Sequence, residues 1–239
     1  MKWLIDLLRI KSWIKNGFLF LPLVFAMKLL SFDLFSKTIL AFLSFSFACS
    51  FIYILNDVFD AEKDKLHPRK KDRPIPSGAV SKSMALGIAI FLLLLSVGIS
   101  LFFKLSLQFL FITLLYVVLN VAYTLLLKRI NLIELFVVAV NFVLRVLAGC
   151  FVIDVIPSHW ILVVTFFLSL MLILVKRKSE LLILKENAQG HRAVLKNYSL
   201  EFLDKLIYIS ATITVTSYIL YSIDPLVIKS LHTDKLMYT

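Results

Sequence analysis

Apolar runs of roughly 20 residues recur along this chain, and the loops between several of them are strongly basic. A run of that length crosses a bilayer as one helix, because hydrocarbon offers no partner to an unpaired backbone amide. The runs fall at roughly 16–32, 37–55, 83–103, 107–127, 131–153, 159–176 and 202–223. About seven spans are therefore expected, in an all-α polytopic helical bundle. Of the 239 residues 60% are hydrophobic, above the roughly half of a soluble domain. Cys49 and Cys150 both lie inside apolar runs and offer neither a disulfide framework nor metal-ligand spacing.

The net charge of +11 does not point to nucleic acid, because the bases sit in loops between spans. Lys2, Arg9, Lys11 and Lys15 precede the first span. Lys63, Lys65, Arg69, Lys70, Lys71, Arg73 and Lys82 follow the second, Lys128 and Arg129 the fourth, and Lys176, Arg177, Lys178, Lys185, Arg192 and Lys196 the sixth. This asymmetry places the N-terminus and these loops in the cytoplasm of a multi-pass membrane protein; a prokaryotic inner membrane is the expected location. Residues 1–15 set Trp3, Leu4, Leu7, Leu8 and Ile10 against Lys2, Asp6, Arg9 and Lys11, as an interfacial helix does, with Trp13 at the interface. Residues 224–239 have the character of a loop leading into a further span, so a truncated chain is expected.

The stretch from Tyr53 to Gly78 carries the most chemistry. Asp57, Asp60 and Asp64, spaced by three and then four, share one stripe of a helix, with Asn56 one turn before Asp60. Clustered carboxylates repel unless a cation lies between them, and a hard divalent ion takes oxygen ligands and often brings phosphate oxygens with it. Lys65, Arg69, Lys70, Lys71 and Arg73 follow and suit the rest of a polyphosphate. The bland alternative is a solvated loop of mixed charge.

Inside the fifth span Glu134, Asn141 and Arg145 recur at spacings of seven and four, on one face with Gly149. A guanidinium at that depth costs at least about 2.5–3.5 kcal/mol and needs a partner or a wet cavity. A functional cavity and a structural pair with a carboxylate both remain open, as does a transporter path lined by Arg145 and Glu134. Tyr123, Lys128 and Arg129 cluster after the fourth span, and Lys176, Arg177, Lys178 and Glu180 after the sixth; any single base here also reads as topology signalling. His67, His159, His191 and His232 are scattered. The two charged motifs each follow an even-numbered span, an arrangement able to clamp one phosphorylated ligand.

Asn56-Asp57-x-x-Asp60-x-x-x-Asp64 followed by Arg73-Pro74-Ile75-x-Ser77-Gly78 resembles the first motif of the UbiA-type prenyltransferase superfamily. That family implies an intramembrane helical enzyme, usually of nine spans, whose aspartates hold Mg²⁺ and a diphosphate. Four stretches are similar to its decaprenyl-phosphate phosphoribosyltransferase branch: Arg9-x-Lys11-Ser12-Trp13-x-Lys15-Asn16, His67-Pro68-x-Lys70-x-x-Arg73-Pro74, Leu144-Arg145-x-x-Ala148-Gly149 and Lys176-Arg177-x-x-Glu180-Leu181. Lys176, Arg177 and Glu180 stand where most of the superfamily has a second aspartate motif, which fits a ligand with an extra phosphate.

The resemblance implies one transferase domain over 1–239, with 56–82 and 177–201 as catalytic loops. It implies Mg²⁺-dependent transfer of 5-phosphoribose from phosphoribosyl diphosphate to a polyprenyl phosphate, with membrane lipid around the tail. Asp57, Asp60 and Asp64 would be catalytic and, with Asn56, hold the metal. Lys15, Asn16, Asn56, Lys70, Arg73, Tyr123, Lys128, Glu134, Arg145, Lys176, Arg177 and Glu180 would bind substrate. The rival enzymatic reading moves a prenyl group from its diphosphate to an aromatic or lipid acceptor.

Overall fold

The computed structural model describes residues 2–68, 70–186, 198–225 and 227–228. The expectations placed on Arg69, Lys185, His191, Arg192, Lys196, His232 and most of the 224–239 tail fall outside the residues or side chains described.

Six long helices build the fold: α3 (Phe32–Lys65), α4 (Lys82–Phe102), α5 (Leu107–Leu125), α6 (Ile133–Val152), α7 (His159–Glu186) and α8 (Leu200–Ile223). Each is long and apolar enough to cross a membrane, and no strand occurs among the described residues. The protein is a multi-pass membrane protein. Serines start several of the helices: Ser81, Ser106 and Ser199 accept hydrogen bonds from the N–H groups of Met84, Phe109 and Phe202, satisfying donors that have no partner inside the helix.

The first 25 residues differ from the expectation of an interfacial helix running into one α-helical span. α1 (Lys2–Leu8) stops at Arg9, whose φ of 50° and ψ of 46° are left-handed. Ile10–Phe20 winds as a 3₁₀ helix and continues into α2 (Leu21–Phe25), before Met27, at φ 56°, helps turn the chain toward α3. At about 2.0 Å per 3₁₀ residue and about 1.5 Å per α residue, this segment covers about 30 Å, close to a hydrocarbon thickness. It therefore has the reach of a span without being one α-helix. It packs closely against α6: a Cβ on Gly149 would lie 2.2 Å from the Leu19 carbonyl oxygen.

α3 also exceeds the expected span, continuing without a break to Lys65. The aspartates therefore sit on rigid helix rather than in a loop. α6 is the most enclosed helix; it packs against α5, α7, α3 and the 3₁₀ segment. Phe45, Tyr116, Phe109, Leu144, Ala148 and Leu19 form the largest core cluster between these elements. Buried hydroxyls add polar ties: Ser44 on α3 donates to the Ser96 carbonyl on α4, and Ser106 to the Phe151 carbonyl. The ends of α3, α5 and α7 and the starts of α4, α6 and α8 face one side of the bundle, where the charged residues gather.

Candidate active site

At 100° per residue, Asp57 and Asp64 lie within about 20° of each other around α3, and Asp60 sits about 60° to one side. The structure uses this difference. The Arg73 Nη1 atom donates to Asp57 Oδ1 at 3.0 Å and to Asp64 Oδ2 at 2.9 Å, so the loop after α3 folds back onto two of its carboxylates. Lys70 lies 3.3 Å from Asp64, and Arg9 reaches Asp57 from the other side while its guanidinium covers the Tyr53 ring. Asp60 faces Lys128, whose Nζ lies 2.9 and 3.0 Å from the two carboxylate oxygens and 3.5 Å from Asn56 Oδ1. The turn Leu127–Arg129 after α5 thus reaches the same helix end as the loop after α3.

Asp57 and Asp64 are buried. An isolated buried carboxylate is costly, so the surrounding guanidiniums and ammoniums are part of what keeps them there. Asn56, Asp57, Asp60 and Asp64 offer only oxygen atoms as ligands, the donor chemistry of a hard divalent cation. Among the described residues no three His, Cys, Asp or Glu side chains converge closely enough to enclose a metal by themselves. The acids instead hold Arg9, Lys70, Arg73 and Lys128, cations that are themselves good phosphate donors.

The other expected residues separate into two groups. Arg177 on α7 forks onto Glu134, Nε at 2.8 Å and Nη2 at 2.7 Å, and its Nη1 donates to Glu180 at 2.8 Å. Tyr123 lies within electrostatic reach of Arg177. Beside them Lys178 pairs with Asp204 at 2.5 Å, and the Tyr198 hydroxyl accepts the Leu132 N–H at 2.8 Å. Burial pushes that hydroxyl above its ordinary pKa. Glu180 therefore braces Arg177 from the side opposite Glu134's hold on the same guanidinium fork.

Arg145 meets neither Glu134 nor any other carboxylate among the described residues. Its Nε donates to Asn16 at 2.9 Å, Nη1 to the Asn141 carbonyl at 2.6 Å and Nη2 to the Tyr116 hydroxyl at 3.1 Å. The rings of Phe45, Tyr116 and Phe142 stand 5.0–5.8 Å from its guanidinium carbon. Cation–π attraction and neutral acceptors take the place of a counter-ion. Asn141 pairs its amide with Asn120 at 2.8 and 3.0 Å. The three polar residues of α6 thus serve three different neighbours. Lys15, next to Asn16, lies in the combined field of Arg145, Lys176 and Arg9. Of these bases Arg9 also touches Asp57, which brings their positive charge up to the aspartates.

Arg9 was absent from the residues expected to form the site, although it opens the Arg9–Asn16 stretch. In the sequence it reads as the polar face of an interfacial helix and as a topology signal; only folding shows it to touch an aspartate 48 positions away.

The UbiA prenyltransferase family model matches residues 18–189. The decaprenyl-phosphate phosphoribosyltransferase of Corynebacterium glutamicum is 32% identical over 225 residues, covering 92% of this chain and 67% of that protein. The enzyme of the same name from Mycolicibacterium smegmatis is 32% identical over 223 residues, covering 92% of this chain and 70% of its own length. Among solved structures, a UbiA homologue from Archaeoglobus fulgidus bound to GPP and Mg²⁺ superposes with a TM-score of 0.75 at 22% identity, covering 97% of this chain and 85% of that one. That likeness speaks for the fold alone.

Proposed function

This chain belongs to the UbiA prenyltransferase family and is a membrane-embedded transferase, and we propose that it moves 5-phosphoribose from phosphoribosyl diphosphate to a polyprenyl phosphate, releasing diphosphate. The observation that carries the reading is the composition of the charged end: one aspartate cluster on α3, and a lysine–arginine pair on α7 instead of a second cluster. Two relatives named for this reaction match along nine-tenths of the chain, which supports the same choice.

Asp57, Asp60, Asp64 and Asn56 would hold Mg²⁺, as their oxygen-only donor set suits it. Bound there, the ion would supply charge neutralisation for the departing diphosphate. The protein's own part is electrostatic. Lys128, Arg73 and Lys70 can exchange their carboxylate contacts for phosphate oxygens with small movements, and preorganised cations at those oxygens stabilise charge as it develops. Departure leaves an oxocarbenium-like ribosyl centre, as in other glycosyl transfers. The acceptor phosphate is already anionic, so it needs no strong general base; Lys15 and Lys176 would bind it. Arg177, occupied by Glu134 and Glu180, would hold α7 in place, and Arg145 with Asn16 would hold the segment bearing Lys15. The tail would lie among lipid-facing helices, with the charged end on the cytoplasmic side.

The test is transfer of label from phosphoribosyl diphosphate to a polyprenyl phosphate by the protein in detergent. A lipid-soluble product that disappears with EDTA is expected. Prenyl transfer to an aromatic acceptor, with no ribosyl product, would replace this reading with ordinary prenyltransferase chemistry.

A further inference from the structure

Beside Asp57, a cavity of about 260 Å³ is lined by Asp6, Arg9, Asp72, Arg73 and Pro74. Its size lies just below the roughly 300–1,000 Å³ of a pocket for a whole ligand, which suits one end of a larger molecule. Two guanidiniums and two carboxylates share its wall. Arg9 uses Nη2 on Asp57, and Arg73 uses Nη1 on Asp57 and Asp64. A guanidinium has five N–H donors in a fixed fork, so both keep donors for another anion. Asp6 and Asp72 can only accept, which matches hydroxyl groups rather than phosphate oxygens. A bare phosphate would be repelled by those two acids. A phosphate carried on a polyol satisfies both halves of the wall.

The left-handed backbone at Arg9 does not single it out, since Met27, Lys104, Leu132 and Asp154 also take positive φ. Its partners do. The Tyr53 ring lies 5.3 Å under its guanidinium carbon, and Asp57 fixes one edge. The side chain is thereby held between the aspartate cluster and the cavity.

We infer that this cavity receives the phosphorylated ribose end of the donor, with Arg9 and Arg73 on the sugar's phosphate and Asp6 and Asp72 on its hydroxyls. The inference rests on the phosphoribosyl reading above and adds a residue, Arg9, that distinguishes this donor from a prenyl diphosphate, which has no phosphate besides its diphosphate to place there.

Displacement of labelled phosphoribosyl diphosphate from the detergent-solubilised protein tests it, with ribose 5-phosphate, Mg²⁺–diphosphate and geranyl phosphate as competitors. Arg9→Gln should raise the Kd for ribose 5-phosphate about tenfold or more, the scale of one charge-assisted bond, while the diphosphate Kd stays within about twofold. Arg9→Lys should fall between. Asp72→Asn, on the exposed loop, should weaken ribose 5-phosphate by about threefold and leave diphosphate unchanged, which guards against misfolding of the Arg9 variants. Equal weakening of both ligands, or weakening of geranyl phosphate alone, would overturn the assignment while leaving the functional reading intact. Failure of the unaltered protein to retain phosphoribosyl diphosphate would remove that reading and the inference together.

Discussion

Arg73 and Arg177 each bridge two carboxylates at the same end of the bundle, and water separates their roles. The Arg73 side chain is 31% exposed and sits on a loop between Asp57 and Asp64. The Arg177 side chain is 4% exposed and sits on a helix between Glu134, itself 1% exposed, and Glu180. In the first bridge a ligand's phosphates and metal can take over both sets of charges without leaving any ion dry. In the second, removal of either partner strands a charge in the protein interior. The same three-ion pattern is therefore suited to exchange at one site and to support at the other.

The largest expected effect removes the function of the first bridge and of its neighbour Asp60, held by Lys128, without the fold. Replacing Asp60 and Asp64 by Asn should lower transfer by about 10³-fold or more, while thermal unfolding in detergent shifts little. Transfer that survives both substitutions would sink the role given to the aspartates.

Next comes the second bridge. Glu134→Ala should cost about 3–5 kcal/mol of stability, read as a large fall in unfolding temperature. The double variant Glu134→Leu, Arg177→Leu should recover much of it, because no buried charge is left unpaired and Glu180, 29% exposed, can turn to water. A double variant as unstable as the single one would show that the pair is worth more than its desolvation, and would narrow the contrast with Arg73.

Gly149→Ala probes the core away from both bridges, where the 3₁₀ segment carrying Lys15 crosses α6. With the Leu19 carbonyl 2.2 Å from the new Cβ, the segment must move, at about 1–3 kcal/mol, and Lys15 should move with it. An unfolding curve together with the KM for the acceptor would show both. The smallest effect is expected at Glu62, which pairs with Lys65 and Lys82 at 2.9 and 2.8 Å on the exposed face of the same helix end. Glu62→Gln should change neither stability nor transfer measurably, since exposed pairs contribute little.

Much of this was readable before folding. Hydropathy alone placed α4, α5, α6 and α8 to within a few residues, because backbone satisfaction in hydrocarbon leaves so few choices. The three-and-four spacing of the aspartates put them on one helix face, and α3 bears that out by running unbroken to Lys65. The reading failed where a local pattern had two physical solutions. Residues 10–25 are apolar enough for an α-helix, yet the contact at Gly149 goes with a 3₁₀ winding. Glu134, Asn141 and Arg145 share a face of α6, yet neighbours on α7, α5 and the 3₁₀ segment divide them.

What the sequence determined by itself is the membrane, the helices and the kind of charge at each loop, since these follow from solvation of one segment at a time. Which cation meets which carboxylate was decided only by tertiary structure. Arg9 reaches Asp57 across 48 residues and Arg177 reaches Glu134 across 43. Coulomb attraction has no memory of sequence distance, and burial decides whether a bridge so formed can open for a ligand or must stay closed.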